Sequence, residues 1–313
     1  MSRISINAAA RSRPNSNIQL SSAMPSESLL ITETVRGVLA EDGYQLHYRV
    51  WNGSRYPRAM IVLVNGVMSH SGWFRSLARS LAARNLLVVG ADRRGSGLNH
   101  GARGDAASAE VLVKDLSKII EQERLEDCAL YLAGWCWGAV LAINAAEEFR
   151  SFVHGLILLA PGLYPSAAIK RAMQEQEKHL KDNVFNAPCL VSPIREDMFT
   201  HGPYLDDFIR RDEFRLLTFT PRFYRIMLRM GLTAITQLAD LEHPVLLILA
   251  TKDAAVDNDQ TRRAFERVKK TSVTVATCDC QHGMQFEATE HLVEHITYWL
   301  DSKGTHVTAK TSA

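Results

Sequence analysis

A cysteine between two glycines is the clearest candidate for nucleophilic chemistry in this chain. Gly134, Cys136 and Gly138 form a G-x-C-x-G pattern that follows an apolar run at 129–133 and precedes a helix-forming segment. A nucleophile elbow needs this strand-turn-helix setting, and the small flanking residues let strand and helix approach closely. A helix N-terminus that points at the sulfur favours thiolate over thiol. The pattern predicts Cys136 as a nucleophile, with a buried structural cysteine as the alternative.

Two further residues complete a candidate catalytic triad. Asp253 follows the apolar run 245–250, and His282 lies in a loop after the run 273–277. Triads built on such elbows follow the chain order nucleophile, acid, histidine, and that order holds here. The sequence therefore predicts a triad of Cys136, Asp253 and His282.

Other carboxylates compete for the position of the acid. Asp257 lies four positions after Asp253 and is a second candidate, although it is farther from the end of the strand. Asp279 is too close to His282 in sequence to orient it easily across the site. Asp253 therefore remains the predicted acid, with Asp257 as the alternative.

The remaining candidate side chains have weaker signals. His70 and His201 are candidate substrate contacts, but a histidine in a polar loop is more often solvated. Cys278, Cys280 and His282 resemble a metal cluster, yet they lack the two-pair spacing of a structural zinc site. No metal and no cofactor are predicted.

Strand and helix patterns alternate around these residues. Seven short apolar runs are typical of strands, and five longer amphipathic segments are typical of helices. The predicted strands are 45–51, 60–64, 86–91, 129–133, 155–160, 245–250 and 273–277, and the predicted helices are 72–84, 106–123, 139–149, 260–269 and 287–300. Apolar strands separated by amphipathic helices indicate an α/β fold with a parallel sheet covered on both faces.

One long segment interrupts the alternation. Residues 164–240 contain no convincing strand and are predicted to form a helical cap inserted into an α/β core of residues 31–163 and 241–301. An insertion after a strand of a parallel sheet lies above the carboxyl ends of the strands, where ligands bind. We therefore expect the cap to cover the active site.

The two ends carry no predicted chemistry. Residues 1–30 are rich in Ser, Asn, Ala and Arg, which is typical of a disordered tail, with an organelle transit peptide as the alternative. Residues 302–313 are predicted to form a flexible tail. No apolar run approaches the ~20 residues of a membrane span, so a soluble protein is expected.

Composition and charge exclude several classes of protein. The chain has 313 residues, of which 46% are hydrophobic, and 36 Lys and Arg residues balance 34 Asp and Glu residues. This balance lacks the basic field expected of proteins that bind nucleic acid. Five scattered cysteines favour a reducing compartment over a disulfide scaffold, so the predicted location is the cytoplasm.

Four motifs in the correct order resemble those of a known superfamily. Besides the elbow and the triad loops, residues 62–74 resemble an H-G-x-x-x-H-S segment, and residues 91–99 resemble a D-x-R-G-x-G-x-S turn. From 35 to 300 the chain resembles the α/β-hydrolase superfamily, particularly its monoacylglycerol lipase, lysophospholipase and serine aminopeptidase-like branch. The resemblance implies a mostly parallel central sheet with flanking helices and an inserted helical cap.

The same resemblance implies a role for each candidate. Cys136 is expected to be the nucleophile, His282 the general base and then acid, and Asp253 the group that orients the imidazole. The backbone N–H groups of Val67 and Trp137 are expected to form the oxyanion hole. Because these donors are backbone groups, their side chains are not diagnostic.

The chain departs from the family pattern at two positions. Cys136 replaces the usual serine, and Asn65 replaces the usual histidine before the oxyanion glycine, so the floor of the acyl site is expected to differ. The substrate is expected to contact residues beside the oxyanion segment, the elbow and the histidine loop. These residues are Gly66, Met68, Trp137 and Met284.

The cap contributes apolar and cationic side chains. Most of the apolar ones are expected to pack between helices, and any that face the sheet would line a pocket for an acyl chain. They are Met198, Phe199, Tyr204, Phe208, Leu216, Phe219, Phe223, Tyr224, Met227 and Met230. Six arginines predict a solvated face, with a docking patch for an acyl carrier protein as the alternative. They are Arg210, Arg211, Arg215, Arg222, Arg225 and Arg229.

The main functional prediction is an acyl-transfer enzyme, acyltransferase or thioesterase/esterase, that forms an acyl thioester on Cys136 from an apolar ester or thioester. A thioester passes its acyl group to amines, thiols or carbon nucleophiles more readily than an oxygen ester, which favours transfer. The alternatives are a carboxylic-ester hydrolase of the lysophospholipase or monoacylglycerol lipase type, and a non-catalytic protein that binds a small ligand. Dehalogenase and epoxide-hydrolase chemistry needs a carboxylate at the elbow, which Cys136 does not provide.

Overall fold

A computed structural model describes residues 30–182 and 189–304 of the chain. The tail predicted at 1–30 lies outside these ranges except for residue 30, and the tail predicted at 302–313 lies outside them beyond residue 304. Among the described residues, no helix is long and apolar enough to cross a membrane.

An eight-stranded sheet forms the centre of the molecule. Its strands are β1 (Thr32–Leu39), β2 (Gln45–Asn52), β3 (Ala59–Val64), β4 (Leu86–Ala91), β5 (Ala129–Trp135), β6 (Val153–Leu159), β9 (Val245–Ala250) and β10 (Val273–Cys278). In space they follow the order β1-β2-β4-β3-β5-β6-β9-β10, and only the two pairings made by β2 are antiparallel. The predicted α/β fold with a mostly parallel sheet is therefore confirmed.

The first strand has no counterpart among the predicted ones. β1 pairs along its whole length with β2, from Thr32 opposite Asn52 to Leu39 opposite Gln45. It lies at the edge of the sheet, and most of its residues are exposed or half-buried. A strand whose residues are mostly exposed needs no apolar run, which explains why hydrophobic patterning does not reveal it.

The helices cover both faces of the sheet. They are α1 (Arg75–Ala82), α2 (Ala109–Glu123), α3 (Trp137–Glu148), α4 (Ala167–Asp182), α5 (Pro221–Gln237), α6 (Asn258–Phe265), α7 (Met284–Glu287) and α8 (Thr289–Ser302). Side chains of Ser108, Thr220 and Asp257 accept hydrogen bonds at the N-termini of α2, α5 and α6. The predicted helix 260–269 ends early, at Phe265, and the predicted helix 287–300 is preceded by the short α7.

The segment between β6 and β9 contains more than helices. Beside α4 and α5 it holds one turn of π-helix at Tyr204–Ile209 and a small hairpin of β7 (Leu190–Val191) and β8 (Thr218–Phe219). The prediction that 164–240 contains no strand is therefore wrong in this detail. Strands of two residues are too short to produce an alternating pattern, so the sequence gives no signal for them.

Several contacts attach this segment to the loops at the carboxyl edge of the sheet. The N–H of Leu216 donates to the carbonyl of Met68 at 2.8 Å, in the loop after β3. The N–H of Gly283 donates to the carbonyl of Phe199 at 2.6 Å, beside the predicted catalytic histidine. Arg103, in the loop before α2, donates to the carbonyl of Phe214 at 3.0 Å. The inserted segment thus contacts the loops that carry the candidate site.

Candidate active site

The backbone at Cys136 has the geometry of a nucleophile elbow. Cys136 lies between the end of β5 and the start of α3 with φ 55° and ψ −127°, a conformation that non-glycine residues adopt only when the surroundings hold them there. A Cβ on Gly134 would lie 2.4 Å from the Cα of Ala139, and a Cβ on Gly138 would lie 2.1 Å from the carbonyl oxygen of Val64. Backbone atoms cannot rotate away, so both positions of the motif require glycine.

His282 and Asp253 form a buried pair at the ends of neighbouring strands. His282 Nδ1 lies 2.7 Å from Asp253 Oδ2, and both side chains are 0% exposed. The other carboxylate oxygen, Oδ1, accepts hydrogen bonds from the backbone N–H groups of Ala255 at 2.8 Å and Val256 at 2.9 Å. These bonds fix the carboxylate in the loop after β9, so Asp253 can hold the imidazole in one orientation.

Two aromatic rings, which also contact each other, pack against the histidine of this pair. Trp135 lies 5.2 Å and Phe199 5.8 Å from the His282 ring, centroid to centroid, with interplanar angles of 35° and 33°. Trp135 also donates its indole N–H to the carbonyl oxygen of His282 at 2.9 Å. Phe199 comes from the inserted segment, and its sequence position gave no sign of this role. The rings exclude water and restrict the rotation of the imidazole.

Burial acts on the pKa of His282 in one direction, and two neighbouring groups act on it in the other. Burial disfavours the imidazolium, but the carboxylate of Asp253 and the nearby Cys136 outweigh burial and raise the pKa of His282 to about 10. Within the described ranges, no acceptor lies within hydrogen-bonding distance and angle of His282 Nε2. Contacts of this kind are often long in unliganded enzymes and shorten when substrate binds. The arrangement therefore places a protonated imidazole near the Cys136 sulfur at neutral pH.

The two expected oxyanion donors belong to segments that adjoin Cys136. A Cβ on Gly66 would lie 3.1 Å from the Cβ of Cys136, so the loop that carries Val67 packs directly against the elbow. Trp137 is the first residue of α3. Across the described part of the chain, neither the Val67 nor the Trp137 amide donates to a protein acceptor. Both amides are therefore available to an oxyanion.

Asn65 supports the oxyanion loop and does not line the cavity beside it. Its Nδ2 donates to the carbonyl of Gly66 at 3.0 Å, to the hydroxyl of Ser96 at 3.4 Å and also to the carbonyl of Ser69. The side chain is 1% exposed. The exchange of histidine for asparagine at this position therefore affects how the loop is held.

A cavity of about 460 Å³ opens beside Cys136 and runs between the sheet and the inserted segment. Its walls are mostly aliphatic and aromatic, and α4 and α5 supply much of them. The lining includes Val67, Cys136, Trp137, Leu163, Ile169, Met173, Ile194, Phe219, Tyr224, Met227, Leu228, Leu232 and Ile235. Of the four predicted substrate contacts only Trp137 lines this cavity, whereas Gly66, Met68 and Met284 do not. Met68 and Met284 are buried in the core.

The alternative acids are engaged elsewhere. Asp257 Oδ1 accepts the N–H of Gln260 at 2.9 Å and caps α6. Asp279 accepts the hydroxyl of Thr251 at 2.7 Å and pairs with Lys252 at 3.0 Å on the surface. Neither carboxylate is hydrogen-bonded to His282.

The two alternative histidines also lie away from the cavity lining. His70 is buried, and its Nε2 lies 2.9 Å from Oδ2 of Asp212, which also accepts the indole N–H of Trp73 at 2.6 Å. Asp212 belongs to the inserted segment, so His70 helps to anchor that segment. His201 is exposed. Across 30–182 and 189–304, no group of three or more His, Cys, Asp or Glu side chains is arranged to hold a metal ion.

The arginines of the inserted segment are largely paired with acidic neighbours. Four of the six form salt bridges within the chain. The pairs are Arg210 with Asp206, Arg211 with Asp207, Arg215 with Glu196, and Arg222 with Asp105. These pairs reduce the free positive charge that a carrier protein would recognise.

Known proteins share this architecture. Monoglyceride lipase from Mus musculus is 30% identical over 122 residues, which cover 38% of this chain and only 40% of that relative. Phospholipase YtpA from Bacillus subtilis is 27% identical over 222 residues, covering 70% of this chain and 84% of the relative. A soluble variant of monoglyceride lipase from Saccharomyces cerevisiae, solved with a substrate analogue, has a TM-score of 0.76. It covers 89% of this chain and 98% of that chain at 14% identity.

A family model extends over most of the chain. The Hydrolase_4 model, described as serine aminopeptidase S33, matches residues 55–289. This range includes the elbow, the Asp253–His282 pair and the inserted segment. The family description names a serine enzyme, whereas position 136 here is cysteine. The chain therefore belongs to the Hydrolase_4 family and has the α/β-hydrolase fold.

Proposed function

We propose that the protein hydrolyses carboxylic esters with an apolar acyl group through a covalent intermediate on Cys136. The observation that carries the proposal is the position of the sulfur. Cys136 stands at a strained elbow, near the buried His282–Asp253 pair, and it also lines the apolar cavity. A nucleophile, an acid/base and an acyl-binding space thus meet at one point.

The geometry supports a two-step reaction. The Cys136 thiolate attacks the carbonyl carbon of the ester, and the amides of Val67 and Trp137 stabilise the tetrahedral oxyanion. When the oxyanion collapses, the C–O bond breaks and His282 gives its proton to the departing alkoxide. Water then attacks the thioester while His282 accepts a proton from it, and the carboxylic acid leaves as the thiolate forms again.

The cavity supports an acyl chain as the substrate group held beside the sulfur. Its volume of about 460 Å³ lies in the range of cavities that bind small organic ligands. Met173 and Met227 lie in the wall, and methionine side chains adapt to chains of different length. Lys170, Gln174 and Glu177 on α4 supply the polar part of the lining, which suits a polar head or alcohol group.

The relatives favour the same substrate class. The names of the mouse and Bacillus subtilis proteins refer to a monoglyceride lipase and a phospholipase, both of which act on lipid esters. We therefore propose a lipid ester as the substrate, and hydrolysis as the main reaction ahead of the acyl transfer predicted in the sequence analysis.

Acyl transfer is a second candidate because of one observation. The nucleophile position holds sulfur, and a thioester intermediate reacts readily with amines and thiols. Hydrolysis and transfer share the first step and differ only in the acceptor. Measuring the free acid and the transferred acyl group in the presence of increasing amounts of a thiol or amine acceptor would separate the two.

The proposal is tested with 4-nitrophenyl esters from acetyl to palmitoyl and with mass spectrometry of the Cys136 peptide. We expect an acyl adduct on Cys136, turnover that increases with chain length up to the capacity of the cavity, and loss of both in Cys136→Ala. Cys189→Ala is the matched control, because Cys189 is an exposed thiol outside the cavity lining. This variant should keep full turnover.

Two results would overturn the proposal. One is turnover in Cys136→Ala equal to that of the unaltered protein. The other is saturable binding of the esters without an adduct and without any effect of His282→Ala, which would instead indicate a non-catalytic ligand-binding protein.

A further inference from the structure

We propose that Arg93 is a positioning residue for the oxyanion hole, holding the Val67 amide in place and supplying positive charge beside Cys136. This inference rests on the proposed function, since it concerns the same covalent step. Arg93 occupies the variable position of the D-x-R-G turn after β4, so the motif itself gives it no role.

Arg93 binds two carbonyl groups of the loop after β3. Its guanidinium donates through Nη1 to the carbonyl of Gly66 at 2.7 Å and through Nη2 to the carbonyl of Val67. The Gly66 carbonyl and the Val67 N–H belong to the same peptide group. A cationic donor on the oxygen fixes the plane of that group and polarises its N–H toward the position of the oxyanion.

Arg93 also contacts Trp137, the residue that carries the other expected oxyanion donor. The guanidinium carbon of Arg93 lies 5.6 Å from the ring centroid of Trp137 and 5.5 Å from that of Phe223 on α5. Guanidinium groups at such distances are attracted to aromatic faces. Arg93 therefore contacts the residues of both oxyanion donors and one helix of the inserted segment.

The charge of Arg93 is not neutralised by a salt bridge among the described residues. The side chain is buried, yet across the described ranges it makes no salt bridge, whereas its neighbour Arg94 pairs with Asp115 and Asp42. Burial lowers the pKa of Arg93 to about 10, while Asp92 and Cys136 act against that decrease. The guanidinium thus remains charged at neutral pH.

A buried cation without a carboxylate partner is costly to the fold. The carbonyl groups of Gly66 and Val67 hold the guanidinium, and Asp92 offsets only part of the cost of burying its charge. The field of the cation therefore acts on the sulfur and on the oxyanion position, where negative charge develops. The same cation stabilises the thiolate before attack and the oxyanion after it.

The test compares two reactions of Cys136 in the full chain carrying Cys189→Ala. Acylation by a 4-nitrophenyl ester forms an oxyanion, whereas alkylation by iodoacetamide does not. In Arg93→Met we expect acylation to fall about 100-fold, comparable to the loss of one oxyanion donor. Alkylation should fall by a clearly smaller factor. Arg93→Lys keeps the charge and should recover part of the acylation rate.

Arg94→Met is the matched control. It removes an adjacent arginine whose partners are carboxylates away from the oxyanion loop, so the protein should lose stability while both rates per folded molecule stay within about threefold of the parent. If Arg93→Met does not fold, the ratio of acylation to alkylation in Arg93→Lys must still fall below that of the parent.

Equal losses of acylation and alkylation in Arg93→Met, or an unchanged ratio in Arg93→Lys, would refute the role of Arg93 while leaving the proposed function standing. Absence of any acyl adduct in the parent protein would instead refute the proposed function, and the role of Arg93 with it.

Discussion

Replacing Gly162 by alanine should impair the oxyanion hole without contacting the side chains of the triad. Gly162 lies in the loop after β6, and its N–H donates to the carbonyl of Cys136 at 2.8 Å. An added Cβ would lie 3.0 Å from the Trp137 nitrogen, 3.1 Å from the Cys136 carbonyl carbon and 3.3 Å from its oxygen. All three atoms belong to the peptide group that carries the Trp137 N–H.

The size of the effect follows from these distances. Contacts between 3.0 and 3.4 Å force the neighbour to move by a few tenths of an ångström, and here the neighbour is backbone. Complete loss of one oxyanion donor costs about 3 to 4 kcal/mol of transition-state stabilisation. A displaced but still present donor should cost about half of that. We therefore expect acylation to slow between about tenfold and thirtyfold, or ~1.4 to ~2 kcal/mol.

The assay is single-turnover acylation of Cys136 by a 4-nitrophenyl ester, with iodoacetamide alkylation in parallel. Alkylation should remain within about threefold of the parent, since it forms no oxyanion. Gly53→Ala is the matched control. Its Cβ would meet the Ala82 carbonyl oxygen at 3.2 Å and the Ile31 side chain at 3.3 Å, so it is similarly crowded but far from the elbow.

Three results would refute this reasoning. Acylation in Gly162→Ala could match that of Gly53→Ala, which would mean that the Trp137 amide is not an oxyanion donor. Acylation and alkylation could fall equally, which would place the damage at the sulfur. A crystal structure of the variant could also show the Trp137 amide unmoved despite a slow reaction.

Three further predictions concern the histidine pair and the inserted segment. The carboxylate of Asp253 orients His282 and raises its pKa, and Asp253→Asn removes that charge. Ester turnover should therefore fall about 10⁴-fold, and turnover within tenfold of the parent would contradict this. Acylation by an ester with a poor leaving group needs the protonated imidazole, whose pKa is about 10, so its rate should fall as the pH rises through about 10. If the acylation rate instead fell around the ordinary pKa of histidine, the ion pairing described for His282 would be contradicted. Asp212→Asn weakens the bonds from His70 and Trp73 and should lower the free energy of unfolding by ~1 to ~3 kcal/mol in urea titrations. Burial opposes the charge of Asp212, but the His70 and Trp73 bonds lower its pKa, so this difference should shrink as acid protonates the carboxylate; a difference independent of pH would oppose that account.

The elbow and the order of the triad candidates were predictable from sequence because local geometry dictates them. A Cβ added at Gly134 or Gly138 would lie 2.4 or 2.1 Å from backbone atoms, so the fold requires glycine at both positions of the motif. Asp253 and His282 each follow an apolar strand, and parallel strands deliver their carboxyl ends to the same edge of the sheet.

The surroundings of the triad could not be predicted in the same way. Phe199 reaches His282, and Phe223 reaches Arg93, only because the inserted segment folds back over the sheet. Their spacing in the sequence is set by packing within that segment and does not indicate that they contact His282 or Arg93. For the same reason the predicted contacts Met68 and Met284 are core residues, whereas the cavity wall comes largely from α4 and α5.

The electrostatics of the site favour sulfur over oxygen as the nucleophile. A serine hydroxyl needs a neutral histidine that can accept its proton at the moment of attack. Here Asp253 and Cys136 together raise the pKa of His282 to about 10, and Arg93 adds a second buried cation beside the oxyanion loop. Such a site suits a nucleophile that is already an anion, because attack needs no base and the stored proton is ready for the leaving group. Cysteine at position 136 and the charges around it are therefore best understood as one arrangement.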